Sequence, residues 1–284
     1  MTNQSHKTKQ KGKLLKYVIR GGVYFAGGLT LLILASVIGF IMVKGIMNLE
    51  ASLFEPVYTS KNGSFVPALV NTLIIIGITL VIAVPLGVFS AIYLCEYAKK
   101  GSKLVKVVRM TTETLAGIPS IVFGLFGYIC FVNFLGWGYS LLGGAITLAL
   151  MVLPAIMRST EEALLSVPVS FREGSFGLGA GKLRTIFKII LPSASAGIFA
   201  AIVLAVGRIV GETAALIFTA GSAANTPDSL FGSGRTLAVH VYMLWNEGLG
   251  VDKAYACAVI LIVFVLSLNL LTSYIESKFK KSLK

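Results

Sequence analysis

The sequence predicts an all-α polytopic membrane protein with six transmembrane helices, and three observations lead to this prediction. Apolar residues make up 56% of the 284 residues and charged residues only 13%, whereas a soluble domain carries roughly 25% charged residues. Six apolar stretches are long enough to cross about 30 Å of hydrocarbon at about 1.5 Å per residue. Lys and Arg are concentrated in four short clusters beside these stretches, which is the charge pattern of membrane topology.

Each of the six stretches is predicted to form one helix across the membrane. They run roughly over residues 22–43, 66–94, 117–135, 141–157, 193–220 and 254–275. The first has a basic flank like that of a signal peptide, but it is too long and lacks a small-residue cleavage site, so we interpret it as a retained anchor. The second is longer than a straight crossing requires, and Pro85 with Gly87 predicts a kink near its inner end.

The positions of the basic residues predict the orientation of the chain. Twenty of the 25 Lys and Arg residues lie in the N-terminal segment, in the loops at 95–110 and 158–192, and in the C-terminal tail. Cytoplasmic segments are enriched in Lys and Arg, so both termini and both loops are expected in the cytoplasm. Six spans satisfy all four clusters, whereas an odd number would place one cluster outside. Because these cations flank apolar spans, the net charge of +13 indicates membrane topology and no nucleic-acid partner.

This topology divides the chain into a membrane domain and two basic ends. The predicted segments are a cytoplasmic N-terminal segment at 1–21, a six-helix transmembrane domain at 22–276 and a cytoplasmic tail at 277–284. Within the membrane domain, the cytoplasmic loop covers 159–192 and the longest external loop covers 221–253. We expect the external loop to be ordered, with a short helix around Leu237 to Trp245. The three cysteines are isolated, so no disulfide, metal or cofactor site is expected.

The cytoplasmic loop is predicted to contain a short helix of about eight residues. Ser170 and Glu173 have the spacing of a capping box, Pro168 keeps the preceding chain out of the helix, and Gly179 is a plausible stop. Apolar residues then recur at i, i+3, i+4, i+7 and i+8 as an amphipathic stripe. These are Leu183, Ile186, Phe187, Ile190 and Leu191. On period and charge alone, this segment also fits a basic helix lying on anionic membrane lipid.

A pair of charged residues, Arg208 and Glu212, lies inside the fifth predicted span. Four residues apart, they are expected on one helical face, and neither is expected to face lipid because a central charge costs several kcal/mol. Small residues surround the pair and either allow close helix packing or leave room for a polar path. They are Gly207, Gly211, Thr213, Ala214 and Ala215.

Two interpretations of this charge pair remain open. The first is an ion pair that neutralises itself and fixes the helix register. The second is a substrate path of Arg208, Glu212 and Thr213, in which the Arg208 guanidinium binds a tetrahedral oxyanion during transit. Glu212 then orients Arg208 or accepts a hydrogen bond from a protonated anion. Hydrogen phosphate carries such a proton at neutral pH and sulfate does not, which favours phosphate.

The cytoplasmic loop also resembles that of a known group of transporters. Glu173-Gly174-Ser175, three residues, Gly179, nine residues and then Ile-x-Leu-Pro resemble the loop by which permease subunits of bacterial ABC importers bind their ATPase. The family has Glu-Ala-Ala where this chain has Glu-Gly-Ser, and both replacements are small. The resemblance implies a type I ABC importer permease fold. It also implies that five residues contact the ATPase: Arg172, Glu173, Gly174, Ser175 and Gly179.

Two further runs narrow the resemblance to one branch of these importers. Leu115–Gly127 and Gly211–Ala220, with weaker matches over about residues 65–275, resemble the PstA family of phosphate importer permeases. The family has Pro where this chain has Ala215. The resemblance implies a multi-pass protein of the bacterial cell membrane that carries inorganic phosphate. Its implied partners are a PstC-like permease, a PstB-like ATPase dimer and an external phosphate-binding protein.

Three alternatives differ in their sequence requirements. A permease for another oxyanion, such as sulfate or molybdate, would share the loop and topology but is not expected to have the Gly-Glu-Thr-Ala run at 211–214. An intramembrane enzyme would need a catalytic constellation in the spans, and the sequence contains no Walker motif or nucleophile elbow. Any ATP is therefore expected to be hydrolysed by another chain. A passive channel would not need a coupling helix.

Overall fold

The computed structural model describes residues 2–99, 101–246, 248 and 250–282, and every regular element among them is helical. The α-helices are α1 Thr2–Met47, α2 Val66–Ile92, α3 Lys103–Ala116, α4 Ser120–Gly127, α5 Leu141–Leu165, α6 Val169–Gly177, α7 Lys182–Thr185, α8 Leu191–Gly211, α9 Ala214–Thr219, α10 Leu237–Asn246 and α11 Val251–Ser282. A 3-10 turn covers Ala51–Phe54, and three π-helical turns, Tyr93–Tyr97, Tyr128–Phe134 and Ile186–Ile190, extend α2, α4 and α7.

The predicted six spans correspond to five long helices and one bent pair within the described chain. The long helices cover Ile19–Met47, Val66–Tyr97, Leu141–Leu165, Lys182–Gly211 and Val251–Tyr274. The pair consists of α3 and Ser120–Phe134, which meet at 101°. Pro119 lies at the bend with an extended backbone, φ −59° and ψ 141°, and a residue that precedes proline avoids the α conformation. The prediction of an all-α chain with six apolar spans is therefore confirmed, counting the bent pair as one.

The fifth span differs from the predicted continuous helix over 193–220 at both ends. It begins earlier, at Lys182. The π turn at Ile186–Ile190 precedes Pro192 and lets the helix continue through this proline, which has no backbone N–H to donate. It stops at Gly211, and α9 starts only at Ala214. The Glu212 carboxylate accepts a hydrogen bond from the backbone N–H of Ala215 at 3.1 Å, so this side chain stabilises the start of a new helix.

Close contacts between small residues hold α2 against α5 in the centre of the bundle. A Cβ atom at Gly87 would lie 2.7 Å from the Ile156 side chain, and Thr79 donates a hydrogen bond to the Ala145 carbonyl at 3.1 Å. Helices in lipid gain no hydrophobic advantage from pairing, so close packing and interhelical hydrogen bonds stabilise them instead. α2 continues through Pro85 as a helix.

The segment at 221–253, predicted to be an external loop, contains the predicted short helix, α10, at Leu237–Asn246. This helix packs into the bundle, and its Leu237 and His240 side chains are fully buried. Its first N–H, that of Leu237, donates to the Thr72 hydroxyl of α2 at 2.9 Å, and Asn71 donates to the Arg235 carbonyl at 3.2 Å. This segment is therefore fixed to the N-terminal end of α2.

The packing of α4 against α5 and α9 gives a prediction about stability. At Gly127, a Cβ atom would lie 2.3 Å from the Thr147 hydroxyl and 2.6 Å from the Thr219 methyl group. Gly127→Leu is therefore expected to lower the free energy of unfolding by about 1–3 kcal/mol through overpacking. The measurement is the melting temperature of the purified protein in detergent. Gly77→Leu is the matched control, because Gly77 is exposed and has no atom within 4 Å of its Cβ position. Equal melting temperatures for the two variants would contradict this packing.

Candidate functional site

The segment between α5 and α8, predicted to be a cytoplasmic loop, forms the first part of the candidate site. α6 begins at Val169 after Pro168, and no side chain caps it. The predicted capping box at Ser170 is therefore wrong, because the helix begins directly after Pro168, two residues earlier than a Ser170 cap would place its start, and Ser170 lies inside the first turn. The predicted stop is confirmed: Gly179 has φ +78°, and its N–H donates to the Phe176 carbonyl at 2.9 Å.

The five residues expected to contact an ATPase differ in how exposed they are. Glu173, Gly174 and Gly179 are exposed. Ser175 is buried, and its hydroxyl lies 2.7 Å from that of Thr185 in α7. Arg172 turns inward, with its side chain only 18% exposed.

An apolar surface surrounds the exposed residues of this segment. Its members share apolar side chains that are 48% to 92% exposed, and the most exposed is Leu178. They are Val169, Phe171, Phe176, Leu178 and Leu183. We call this set the α6 surface. Exposed apolar patches of this kind mark sites where a protein contacts a partner or a membrane.

The predicted amphipathic stripe after α6 is only half correct. Ile186 and Ile190 are buried, whereas Leu183 and Phe187 are 64% and 45% exposed. The π turn at Ile186–Ile190 changes the angular step between residues, so positions that would share one face of an α-helix separate onto two.

Arg172 connects three elements by hydrogen bonds. Its Nε and Nη2 atoms donate to Oε1 of Glu96 at 3.1 and 2.8 Å. Its Nη1 and Nη2 atoms donate to the carbonyls of Val167 at 3.0 Å and Leu164 at 3.1 Å. Glu96 lies 76 residues from Arg172 in the sequence, and no local pattern in the sequence predicts this contact.

The break between α8 and α9 forms the second part of the candidate site. Arg208 lies in the last turn of α8, whereas Glu212 has an extended backbone with φ −75° and ψ 127°. The expectation that both side chains share one helical face is therefore wrong, because the helix ends between them. The ion pairs of the described residues join Arg109 to Glu161, Arg158 to Glu162 and Arg172 to Glu96, and Arg208 takes part in none of them.

A cleft of about 770 Å³ opens beside this break. Gly211 and Thr213 line one side, and Tyr242 and Asn246 of α10 contribute polar groups among mostly apolar residues. Arg208 is half-buried one turn before the break. A membrane-depth segment that is not helical is tolerated only where it is buried in protein or lines a cavity, and the cleft meets this condition.

A second group of charges lies where α3 meets the C-terminal end of α5. Arg109 forms an ion pair with Glu161, and Arg158 pairs with Glu162 at 3.1 Å. They surround a polar pocket of about 180 Å³ that Glu113 also lines. The Arg158–Glu162 pair is well exposed, so its contribution to stability is small.

The fold is similar to that of the membrane subunits of two solved ABC transporters. A bacterial ABC transporter involved in the import of the acidic polysaccharide alginate gives a TM-score of 0.68 at 18% identity, over 94% of this chain and 99% of the other. The MetNI methionine ABC transporter in an inward-facing conformation gives 0.60 at 19% identity, over 85% and 97%. These likenesses confirm the type I ABC importer permease fold.

Curated relatives match at higher identity. The chain is 34% identical to the probable ABC transporter permease protein YqgI of Bacillus subtilis, over 88% of this chain and 91% of the relative. It is 37% identical to the phosphate transport system permease protein PstA 1 of Mycobacterium tuberculosis strain H37Rv, over 75% and 70%. It is 32% identical to PstA of Pasteurella multocida, over 93% and 94%.

The family model for the binding-protein-dependent transport system inner membrane component matches residues 83–281. This range contains α6, Gly179, the break at Glu212 and the cleft beside it. The chain therefore belongs to the family of inner membrane components of binding-protein-dependent transport systems.

Proposed function

We propose that this chain is a transmembrane permease subunit of an ATP-driven importer of inorganic phosphate in the bacterial cell membrane. The observation that carries the proposal is the similarity to phosphate transport system permeases along most of the chain, at 32% identity over 94% of the Pasteurella multocida protein. The α6 surface adds a physical reason to expect a cytoplasmic partner, since exposed apolar patches mark such contacts.

ATP hydrolysis is assigned to a separate chain, a PstB-like ATPase dimer. In this assignment, α6 enters a groove of the ATPase, and the exposed Glu173, Gly174 and Gly179 contact its walls. Gly174 and Gly179 have no atom within 4 Å of their Cβ positions, so a partner can approach the backbone closely there. A PstC-like permease supplies the other half of the path, and an external phosphate-binding protein delivers the anion. Both termini of the chain then lie in the cytoplasm with α6.

Arg208 is proposed as the group that binds the anion during transit. A guanidinium inside a membrane domain is costly unless it is paired or reaches a water-filled cavity, and the described residues offer Arg208 no ion pair. Glu212 caps α9 through the Ala215 N–H, and it is not in an ion pair with Arg208 among the described residues. This arrangement favours the substrate-path interpretation over a self-neutralising pair. Thr213, which lines the cleft, offers a hydroxyl to the same anion.

Phosphate uptake by the reconstituted complex is the first prediction of this proposal. The chain is reconstituted in vesicles with the permease partner, the ATPase and the binding protein, and uptake of labelled phosphate, sulfate and molybdate is measured. We expect ATP-dependent uptake of phosphate alone. Uptake of sulfate or molybdate in its place would retain the importer and reject the substrate. Flux that is independent of ATP would reject the importer and favour a passive channel.

Replacement of Arg208 tests the anion path. Arg208→Ala is expected to lower phosphate uptake at least about tenfold, because a charge-assisted hydrogen bond to the anion is lost, while the complex still assembles. Arg208→Lys retains the charge without the planar fork and should keep part of the activity. Size-exclusion chromatography of the complex provides the assembly measurement. Loss of the assembled complex in Arg208→Ala would instead support a structural ion-pairing role.

Replacement of Gly179 tests the docking of α6. Gly179→Leu forces a side chain into a left-handed backbone, φ +78°, at a cost of about 1–2 kcal/mol, and it adds bulk at the proposed interface. We expect ATP hydrolysis to continue while phosphate transported per ATP falls. Gly181→Leu is the control, since Gly181 is equally exposed but has φ −71°. Normal coupling in Gly179→Leu would argue against docking at this position.

A further inference from the structure

The π turn at the inner end of α2, Tyr93–Tyr97, contacts α5, α6 and α7 through three consecutive residues. The Cys95 sulfur lies 3.8 Å from the Glu161 carbonyl oxygen of α5. Glu96 accepts two hydrogen bonds from Arg172 of α6. The ring of Tyr97 lies beneath the Lys182 ammonium of α7, 4.6 Å from its centroid. A π turn distributes successive side chains over a wider arc than an α-helix does, and such turns occur frequently at functional sites.

The Arg172–Glu96 contact is the most buried of the three. The side chains are 18% and 9% exposed, respectively. The same guanidinium also binds the carbonyls of Leu164 and Val167 at 3.1 and 3.0 Å. Carbonyls at the end of a helix lack intrahelical partners, so Arg172 satisfies the end of α5 while it holds α2.

α6 has few other attachments to the membrane domain. Of its nine residues, only Ser175 is buried, through its hydrogen bond to Thr185 of α7. Apart from Arg172, the other residues of α6, including Phe171 and Phe176, are exposed. Besides the backbone links to α5 and α7, a force applied to α6 therefore reaches the helices of the membrane domain mainly through Arg172 and Ser175.

We propose that the Arg172–Glu96 pair is the joint that transmits movement of α6 to the inner end of α2. This inference rests on the proposed function, in which a partner ATPase moves α6. Arg172 acts as a positioning residue in this role, not as a contact to the ATPase. α2 packs along α5 through Gly87 and Ile156, so a displacement of the π turn moves the central helix pair of the bundle.

The chemistry of the Arg172–Glu96 pair explains why an apolar contact would transmit movement between α6 and α2 less well. Desolvation offsets most of the Coulombic gain of a buried ion pair, so stability alone does not favour it over apolar packing. A planar guanidinium with several directed hydrogen bonds fixes both the distance and the angle between helices. Lysine offers a single ammonium group and cannot reproduce the contacts to Glu96, Leu164 and Val167 together.

The test compares variants that separate positioning from folding. Arg172→Lys keeps the positive charge but loses some of the directed hydrogen bonds of the guanidinium. The double variant Arg172→Met with Glu96→Leu removes both charges, so no buried charge is left unpaired and the fold is retained. Arg184→Met is the matched control, because Arg184 is exposed on the neighbouring helix α7.

The first readout is the distance between α6 and α2, independent of the transported solute. Spin labels are attached to cysteines at Gly177 of α6 and Leu86 of α2, both exposed, after Cys95, Cys130 and Cys257 are replaced by Ala. Distances are measured in the complex with and without ATP. We expect one narrow distance distribution in the parent protein in both states, because the pair moves the two helices together. The double variant should broaden this distribution at least about twofold, with Arg184→Met unchanged.

The second readout is the amount of phosphate transported per ATP. We expect it to fall about tenfold in the double variant, a typical size for a coupling between sites, and by less in Arg172→Lys, while the ATPase still co-purifies with all variants. A narrow, unchanged distance distribution in the double variant, or normal transport per ATP, would overturn the proposal. Failure of the parent complex to transport phosphate would reject the substrate assignment, and the distance measurement would still decide the role of the pair.

Discussion

A backbone N–H or C=O group in the hydrocarbon region of a membrane has no water to bind, so each departure from a regular helix must find partners inside the protein. This chain departs from the α-helix at the bend around Pro119, at the break around Glu212 and at three π turns. The Glu212 carboxylate caps the helix that follows its own break, and Pro192 is reached through a π turn. The features that we propose for transport lie at these departures. In a regular helix, the backbone groups are already hydrogen-bonded within the helix and leave no cavity for a solute.

The need for partners inside the protein also distinguishes two arginines, Arg172 and Arg208. Arg172 and Glu96 satisfy one another and two helix-end carbonyls, which makes their position rigid. Arg208 lies one turn before the break and joins none of the ion pairs of the described residues. In the proposed roles, a cation held by several hydrogen bonds suits the transmission of movement, whereas a cation without an ion pair suits an anion that passes. We therefore propose different roles for the two arginines, although both are partly buried.

Composition and spacing were sufficient to predict the number of spans and the short helices at α6 and α10, because apolar length, Pro168 and Gly179 act locally. The sequence does not predict the break after Gly211. Glu212 lies four residues after Arg208, and this spacing fits an ion pair within one helix as well as a cap of the next helix. The inward position of Arg172 was missed for another reason: Glu96 is 76 residues away. The π turn at Ile186–Ile190 likewise depends on how Pro192 is accommodated, and a stripe counted at 3.6 residues per turn does not register it.

The two halves of the candidate site are joined by one continuous element. The helix from Lys182 to Gly211 contains 30 residues, about 45 Å at about 1.5 Å per residue. Its first turn contacts α6 through Thr185 and α2 through Lys182, and its last turn carries Arg208. Under the proposed function, movement of α6 would have two routes into the membrane domain, one through Arg172 to the α2–α5 pair and one along this helix. The second route would reach Arg208 through the helix that carries it. The coupling segment and the anion-binding group then need no contact with each other.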